Sequence, residues 1–137
     1  MAEIIALGSD HAGFDAKQIV KSALEEKGLE WKDFGCLSKE SCDYPDFARL
    51  VATEVSIGNF SRGIICCGSG IGVSIAANKV RGVRAALCHS EEAARLSRQH
   101  NDSNILCLGE RTMDNNQFGA IVKAWLESDF EGGRHLR

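Results

Sequence analysis

Short apolar runs and helix-period stripes alternate along this chain, and that alternation restricts the fold more than any other feature. Ile4–Ser9, Leu29–Phe34, Arg62–Cys67, Val83–Cys88 and Asn104–Leu108 read as strands. Three of them are nearly continuous apolar runs, the pattern of parallel strands covered on both faces. Between them Ala16, Ile19, Val20, Ala23 and Leu24 share one helical face, ended by Gly28 as a C-terminal cap. Phe47, Leu50, Val51 and Val55 form a second stripe, opened by Pro45 in its first turn, and Phe118, Ile121, Val122, Trp125 and Leu126 a last one. The simplest assembly is α/β: a five-stranded parallel sheet with helices on both faces and right-handed crossovers. At 137 residues the chain fits one domain, 1–137, large enough to bury roughly two thirds of its unfolded surface.

Charge and cysteine usage narrow the function. A net charge of −3 argues against nucleic-acid binding, which normally needs a basic excess, so an anionic ligand requires a local positive cluster. No apolar stretch reaches the length of a membrane span. Met1–Leu7 runs straight into Gly8 and Asp10 without a charged leader or cleavage site, which reads as a cytoplasmic protein. Of the six cysteines, Cys66, Cys67, Cys88 and Cys107 lie within apolar runs, as reduced thiols of a core do. The absence of a C-x-x-C pair and of histidine ligand spacing speaks against zinc.

A strand order beginning 2-1-3 places a switch point between the first and third strands, and ligands bind at the carboxyl ends of strands beside such a point. Two loops are thereby nominated: Gly8-Ser9-Asp10-His11-Ala12-Gly13 and Cys67-Gly68-Ser69-Gly70-Ile71-Gly72. The glycines of the second let the backbone turn sharply and expose amides at the start of a helix Ile71–Lys79, a geometry that attracts anions. The loop is neither a Walker loop nor a dinucleotide fingerprint, since Val73 stands where the third glycine belongs. A tight strand–helix turn explains the glycines equally well. Cys67 adds a chemical reason, because a helix start lowers a thiol pKa from about 8.5 toward neutrality and frees thiolate as base or nucleophile. Cys66 points to the other side of the pleat, toward the core.

Asp10 and His11 fall beside that site, with a helix cap as the structural alternative for Asp10. His100-Asn101 ends a helix Glu91–Gln99, where a cation suits the dipole and Asn is a usual terminator. Glu131–Arg137 is polar and aperiodic, like a frayed terminus.

Ser9-Asp10-His11-Ala12-Gly13, Asp43-Tyr44-Pro45-Asp46, Cys67-Gly68-Ser69-Gly70-Ile71-Gly72, Ala76-Ala77-Asn78-Lys79, His100-Asn101 and Gly132-Gly133-Arg134-His135 occur in one order along the chain. In this the whole chain resembles the type B ribose-5-phosphate isomerases and their galactose-6-phosphate and allose-6-phosphate relatives. The resemblance implies a Rossmann-like three-layer α/β/α sandwich. It also implies a cytoplasmic enzyme of the pentose phosphate pathway, without metal or organic cofactor. It implies a homodimer with active sites shared between subunits, or a tetramer built from such dimers. Cys67 corresponds to the base that moves the proton from C2 to C1 of the opened sugar. Ser69 assists proton movement on the substrate oxygens, and the amides of Gly68, Gly70, Ile71 and Gly72 cradle the enediolate. His100, from the partner subunit, opens the ring; Asn101 and Asp10 contact the sugar. His11, Arg111, Arg134 and Arg137 match phosphate-holding positions, so residues 129–137 are expected to contribute to phosphate binding. The family usually carries a second phosphate-binding arginine about a turn beyond Arg134, and Arg137 stands nearest to that place.

Two other readings compete. A six-carbon sugar phosphate, allose 6-phosphate or galactose 6-phosphate, suits the same chemistry; Cys67 and His100 favour the pentose. A flavodoxin- or receiver-like binding module suits the fold, but no phosphoacceptor Asp ends the third strand and no Ser/Thr-rich flavin loop is present.

Overall fold

A computed structural model describes residues 3–36 and 44–133. Five strands, β1 (Ile4–Ser9), β2 (Glu30–Asp33), β3 (Gly63–Cys67), β4 (Ala85–Leu87) and β5 (Ile105–Gly109), pair parallel throughout in the order β2-β1-β3-β5-β4. The helices are α1 (Phe14–Glu26), α2 (Tyr44–Ser56), α3 (Ile71–Asn78), α4 (Glu91–Gln99) and α5 (Phe118–Glu127). Ile5, Leu7, Ile64, Cys66, Leu106 and Leu108 face α1, α4 and α5, whereas Ala6, Ile65, Cys67, Ile105 and Cys107 face α2 and α3. The result is the expected three-layer sandwich with the 2-1-3 start.

The apolar runs sort by position in the sheet. β1, β3 and β5 are central and buried almost throughout, while β2 and β4 are edge strands with partly exposed residues. Both edges are shorter than the apolar pattern suggests: β2 spans four residues rather than Leu29–Phe34, and β4 three rather than Val83–Cys88. The neighbours run further, β1 to Ser9 and β5 to Gly109, so the regular pairing ends within the edge strands themselves. β5 is displaced by one residue, ending at Gly109 opposite Cys67 instead of at Leu108.

Helix ends follow their caps. Gly28, at φ +71°, closes α1 with bonds from its amide to Glu25 O (3.0 Å) and from Leu29 N to Leu24 O (3.0 Å). After α4 the left-handed conformation falls on Asp102 (φ 49°) and not on Asn101. The Asp102 carboxylate is drawn there by Arg98 at 3.1 Å and Arg84 at 3.5 Å.

The largest departure from simple amphipathicity is Lys17, fully buried on α1. Its ammonium meets Asp33 Oδ1 at 2.8 Å, while Lys21 meets Asp33 Oδ2 at 2.8 Å. Burial alone would raise the Asp33 carboxyl, but hydrogen bonds from Lys17, Lys21 and the Gly35 amide overcome it and hold the group below its usual range. Cys36, Cys66, Cys67, Cys88 and Cys107 are all buried. Among the described residues no helix is long and apolar enough to cross a membrane.

Candidate active site

The site grows from the carboxyl ends of the three central strands. β1 and β3 lie side by side, with Ser9 opposite Cys66, so their following loops emerge together. β5 lies on the other flank of β3 and delivers Glu110-Arg111 to the same place. Between these loops opens a cleft of about 460 Å³, lined by Asp10, His11, Ala12, Cys67, Gly68, Ser69, Gly72, Arg111 and Thr112.

The alternation of the strand decides which cysteine reaches it. Cys66 packs toward α1, where burial pushes its thiol far up despite the partial relief of the Lys17 charge. Cys67, one residue on, turns to the α3 side and lines the cleft. Its Sγ accepts a hydrogen bond from Gly70 N at 3.1 Å, so the sulfur is seated at the start of α3. Gly70 makes that turn at φ +78°, the left-handed region that favours glycine. A side chain there would also meet Leu87 Cδ1 at 2.4 Å.

β5 fixes the loop from its other side. Glu110 N donates to Cys67 O at 2.9 Å and Arg111 N to Gly68 O at 2.8 Å, while Ser69 Oγ accepts from Ile71 N at 3.1 Å. Glu110 reaches further, its Oε1 accepting from Ala16 N at 2.7 Å in the first turn of α1.

On the β1 side, Asp10 is 7% exposed and does two things at once. Its Oδ1 accepts from Gly13 N at 3.0 Å, the anticipated cap, here on a 3-10 turn, His11–Gly13. The same residue lines the cleft beside His11.

The structure therefore brings Asp10, His11, Cys67, Gly68, Ser69, Gly72 and Arg111 together. Gly70 and Ile71 stand behind the lining, Gly70 as the donor to Cys67 and Ile71 with its side chain 53% exposed on the outer face of α3. His100 and Asn101 are not brought to this cleft. α4 runs back against the strands and delivers His100 ahead of the start of β5, whereas Cys67 pairs with Gly109 at its end. The four residue steps along β5 alone separate the two levels by roughly 13 Å. His100 Nε2 instead approaches Glu131 Oε1 at 3.8 Å. Arg134 and Arg137 lie outside the described residues. Among the described residues no cluster of His, Cys, Asp and Glu is arranged to hold a metal ion. Ala12 and Thr112 line the cleft without a sequence signal beyond their neighbours in the loops.

Known proteins resemble this chain over nearly its whole length. The profile of the family described as Ribose/Galactose Isomerase matches residues 5–137. The chain belongs to the ribose/galactose isomerase family. It is 47% identical over 131 residues to ribose-5-phosphate isomerase B of Escherichia coli (strain K12), covering 96% of this chain and 88% of that protein. The Clostridium thermocellum ribose-5-phosphate isomerase B structure superposes with a TM-score of 0.94 at 50% identity, over 97% of this chain and 90% of that one. The Mycoplasma genitalium ribose-5-phosphate isomerase B with bound ribulose-5-phosphate gives a TM-score of 0.94 at 44% identity, over 100% of this chain and 91% of that one.

The shape of the cleft depends on backbone placement, and one glycine carries much of it. A Cβ on Gly13 would lie 2.3 Å from Cys66 C and 2.4 Å from Cys66 O, backbone atoms of a central strand that cannot yield. Gly13→Ala must lift the Asp10–Gly13 turn off β3. Overpacking of this kind costs about 1–3 kcal/mol, and a shift of about 1 Å near reacting groups costs about 100-fold in rate. We expect a lower thermal midpoint and a kcat/KM reduced by about that factor. Gly119→Ala, where a Cβ meets open space, should leave both unchanged or raise the midpoint.

Proposed function

We propose that this protein interconverts ribose 5-phosphate and ribulose 5-phosphate through an enediolate, with Cys67 as the base. The observation that carries this reading is Cys67 Sγ, seated by the Gly70 amide in a cleft shared with Asp10, His11, Ser69 and Arg111. Such a set offers a proton acceptor, hydroxyl-binding groups and an anion anchor in one hollow. Related proteins that act on ribose 5-phosphate, one of them with ribulose-5-phosphate bound, support the substrate.

The chemistry divides into three steps. The cyclic sugar must open, a task for His100 of the partner subunit acting on the ring oxygen, with Asn101 beside it and Asp10 holding the sugar hydroxyls. Cys67 then takes the C2 proton, leaving an enediolate whose negative oxygen needs donors. The carbonyls of Cys67 and Gly68 are tied to β5, and a trans peptide sends its amide the opposite way. The Gly68 and Ser69 amides accordingly turn from β5 toward the β1 loop. Ser69 Oγ carries a proton between O2 and O1, and Cys67 returns its proton to C1, so the reaction is a net isomerisation without a redox partner.

Phosphate belongs at His11 and Arg111, completed by Arg134 and Arg137 from residues 129–137 of the partner subunit. Arginine forks pair two phosphate oxygens at once, which suits a dianion on a chain of net charge −3. Anchoring the remote phosphate helps hold C1 and C2 against the sulfur.

The position of His100 and the exposed face of α3 support a homodimer with shared sites. This helix, Ile71–Asn78, carries no charge; it buries Val73 and Ala77 and exposes Ile71 (53%) and Ile75 (55%), the latter lining a groove with Arg49 and Thr53 of α2. Its exposed isoleucines are apolar surface that a second copy of the chain would bury. Gly72 borders both the cleft and the groove between α2 and α3, so a second copy seated on that groove adjoins Cys67. We place the enzyme in the cytoplasm, in the pentose phosphate pathway.

A substrate panel of ribose 5-phosphate, allose 6-phosphate and galactose 6-phosphate with purified protein tests the reading. We expect kcat/KM for the pentose to exceed that for either hexose by at least about tenfold. Preference for a hexose would replace the substrate, and no turnover of any sugar phosphate would end the proposal.

A further inference from the structure

A fully buried lysine is uncommon, because an ammonium loses its hydration unless partners replace it. Lys17 occupies a place on α1 where a methionine would pack at no such cost. What it touches is one segment, the exit of β2: Asp33 Oδ1 at 2.8 Å and the Cys36 carbonyl, with the Phe14 ring of its own helix 5.4 Å away. Asp33 Oδ1 in turn accepts from Gly35 N at 2.9 Å.

The clamped residues continue the β2–β1 ladder past the strand ends. Phe34 N donates to Leu7 O (2.8 Å), Ser9 N to Gly35 O (2.7 Å) and Cys36 N to Ser9 O (2.6 Å). Ser9 is the last residue before Asp10. Asp10 is supported from the other flank by its amide on Cys66 O at 3.3 Å. The backbone leading into Asp10 is thus gripped between β3 and a three-residue extension that Lys17 closes from beneath. Lys17 itself stands on a helix whose first turn is tied to Glu110, so the clamp and the Cys67 loop share one frame.

We propose that Lys17 is a positioning residue for the isomerisation, fixing the Asp10 carboxylate through the exit of β2. This rests on the isomerase reading above. Lys21, one turn on, pairs with the other oxygen of Asp33 and leaves the carbonyl clamp to Lys17. Without the Lys17 ammonium the Cys36 carbonyl and Asp33 Oδ1 lose their common donor, and the ladder extension loosens beside Ser9. Arg111, on the β5 side, still anchors the phosphate, so turnover suffers more than phosphate binding.

The test measures kcat and KM for ribose 5-phosphate, inhibition by inorganic phosphate, and the thermal midpoint for wild type, Lys17→Met, Lys21→Met, Val20→Ala and Asp33→Asn. Lys17→Met should lower kcat by about 10- to 100-fold, with KM and phosphate inhibition within about threefold. Val20→Ala, a cavity on the same helix, should lower the midpoint while keeping kcat within about twofold, as should Lys21→Met. A folded Lys17→Met with wild-type kcat, or one whose loss lies wholly in KM, overturns the proposal. If Lys17→Met does not fold, Asp33→Asn decides: a fall in kcat of about fivefold or more supports the clamp, and an unchanged kcat overturns it. Wild type inactive on every sugar phosphate would overturn the isomerase reading and this one together, whereas unaffected variants of an active wild type remove this one alone.

Discussion

Cys67→Ala should abolish isomerisation, lowering kcat by at least about 100-fold, the minimum usually lost with a positioned proton-transfer group. The folded domain should survive. The substitution removes one hydrogen bond from Gly70 N, worth about 1 kcal/mol, and moves the thermal midpoint by only a few degrees. Inorganic phosphate should inhibit wild type and bind the variant equally well, since His11 and Arg111 do not involve the sulfur. Cys66→Ala is the informative companion. That thiol lies on the other face of the same strand, buried against α1, and burial keeps it in the neutral form. Its loss should cost about 1 kcal/mol of stability and leave kcat within about twofold. Retained activity in Cys67→Ala, with loss in Cys66→Ala, would show that the base has been assigned to the wrong side of the pleat.

The second large effect is a recovery. Cys67→Ala and His100→Ala homodimers should each be inactive, yet a mixture allowed to exchange subunits should regain about a quarter of wild-type activity. Random exchange makes half of the dimers hybrid, and in each hybrid one of the two sites receives an intact Cys67 and an intact His100. The expectation rests on the shared site proposed above: His100 ends α4 ahead of β5, Cys67 pairs with Gly109 at the far end of that strand, and His100 is not among the residues lining the cleft. Light scattering should give the mass of a dimer or a multiple of it. Absence of recovery after exchange has been verified, for instance with differently tagged subunits, would return both residues to one chain.

How far the sequence carries these expectations can be read from particular residues. The identity of Cys67 as the cleft thiol follows from the pleat alone, because adjacent strand residues face opposite layers and the second of the pair precedes the glycine turn. The central strands announce themselves as unbroken apolar runs because only they are covered on both faces. Asp10 shows where a sequence reading stays open: capping and cleft lining looked like alternatives, and the folded turn uses the residue for both. Asn101 is the better helix terminator in isolation, yet the left-handed residue after α4 is Asp102, held by arginines that belong partly to another segment.

Local order was therefore written in the sequence: period two for strands, period three to four for helices, glycine where the chain must turn, and a motif set that marks the family. Neighbours distant in sequence were decided by the tertiary structure. β5 inserts between β3 and β4, and only that placement brings Glu110 and Arg111 onto the Cys67 loop. Lys17 shares the stripe of Val20 and Leu24 and reads in isolation as a blemish in an apolar face. It becomes intelligible once β2 lies beside β1 and offers Asp33 and the Cys36 carbonyl. Periodicity is set by each residue and its next turn, but a buried charge is stable only when its partners are assembled around it, and the crossovers of the sheet do that assembling.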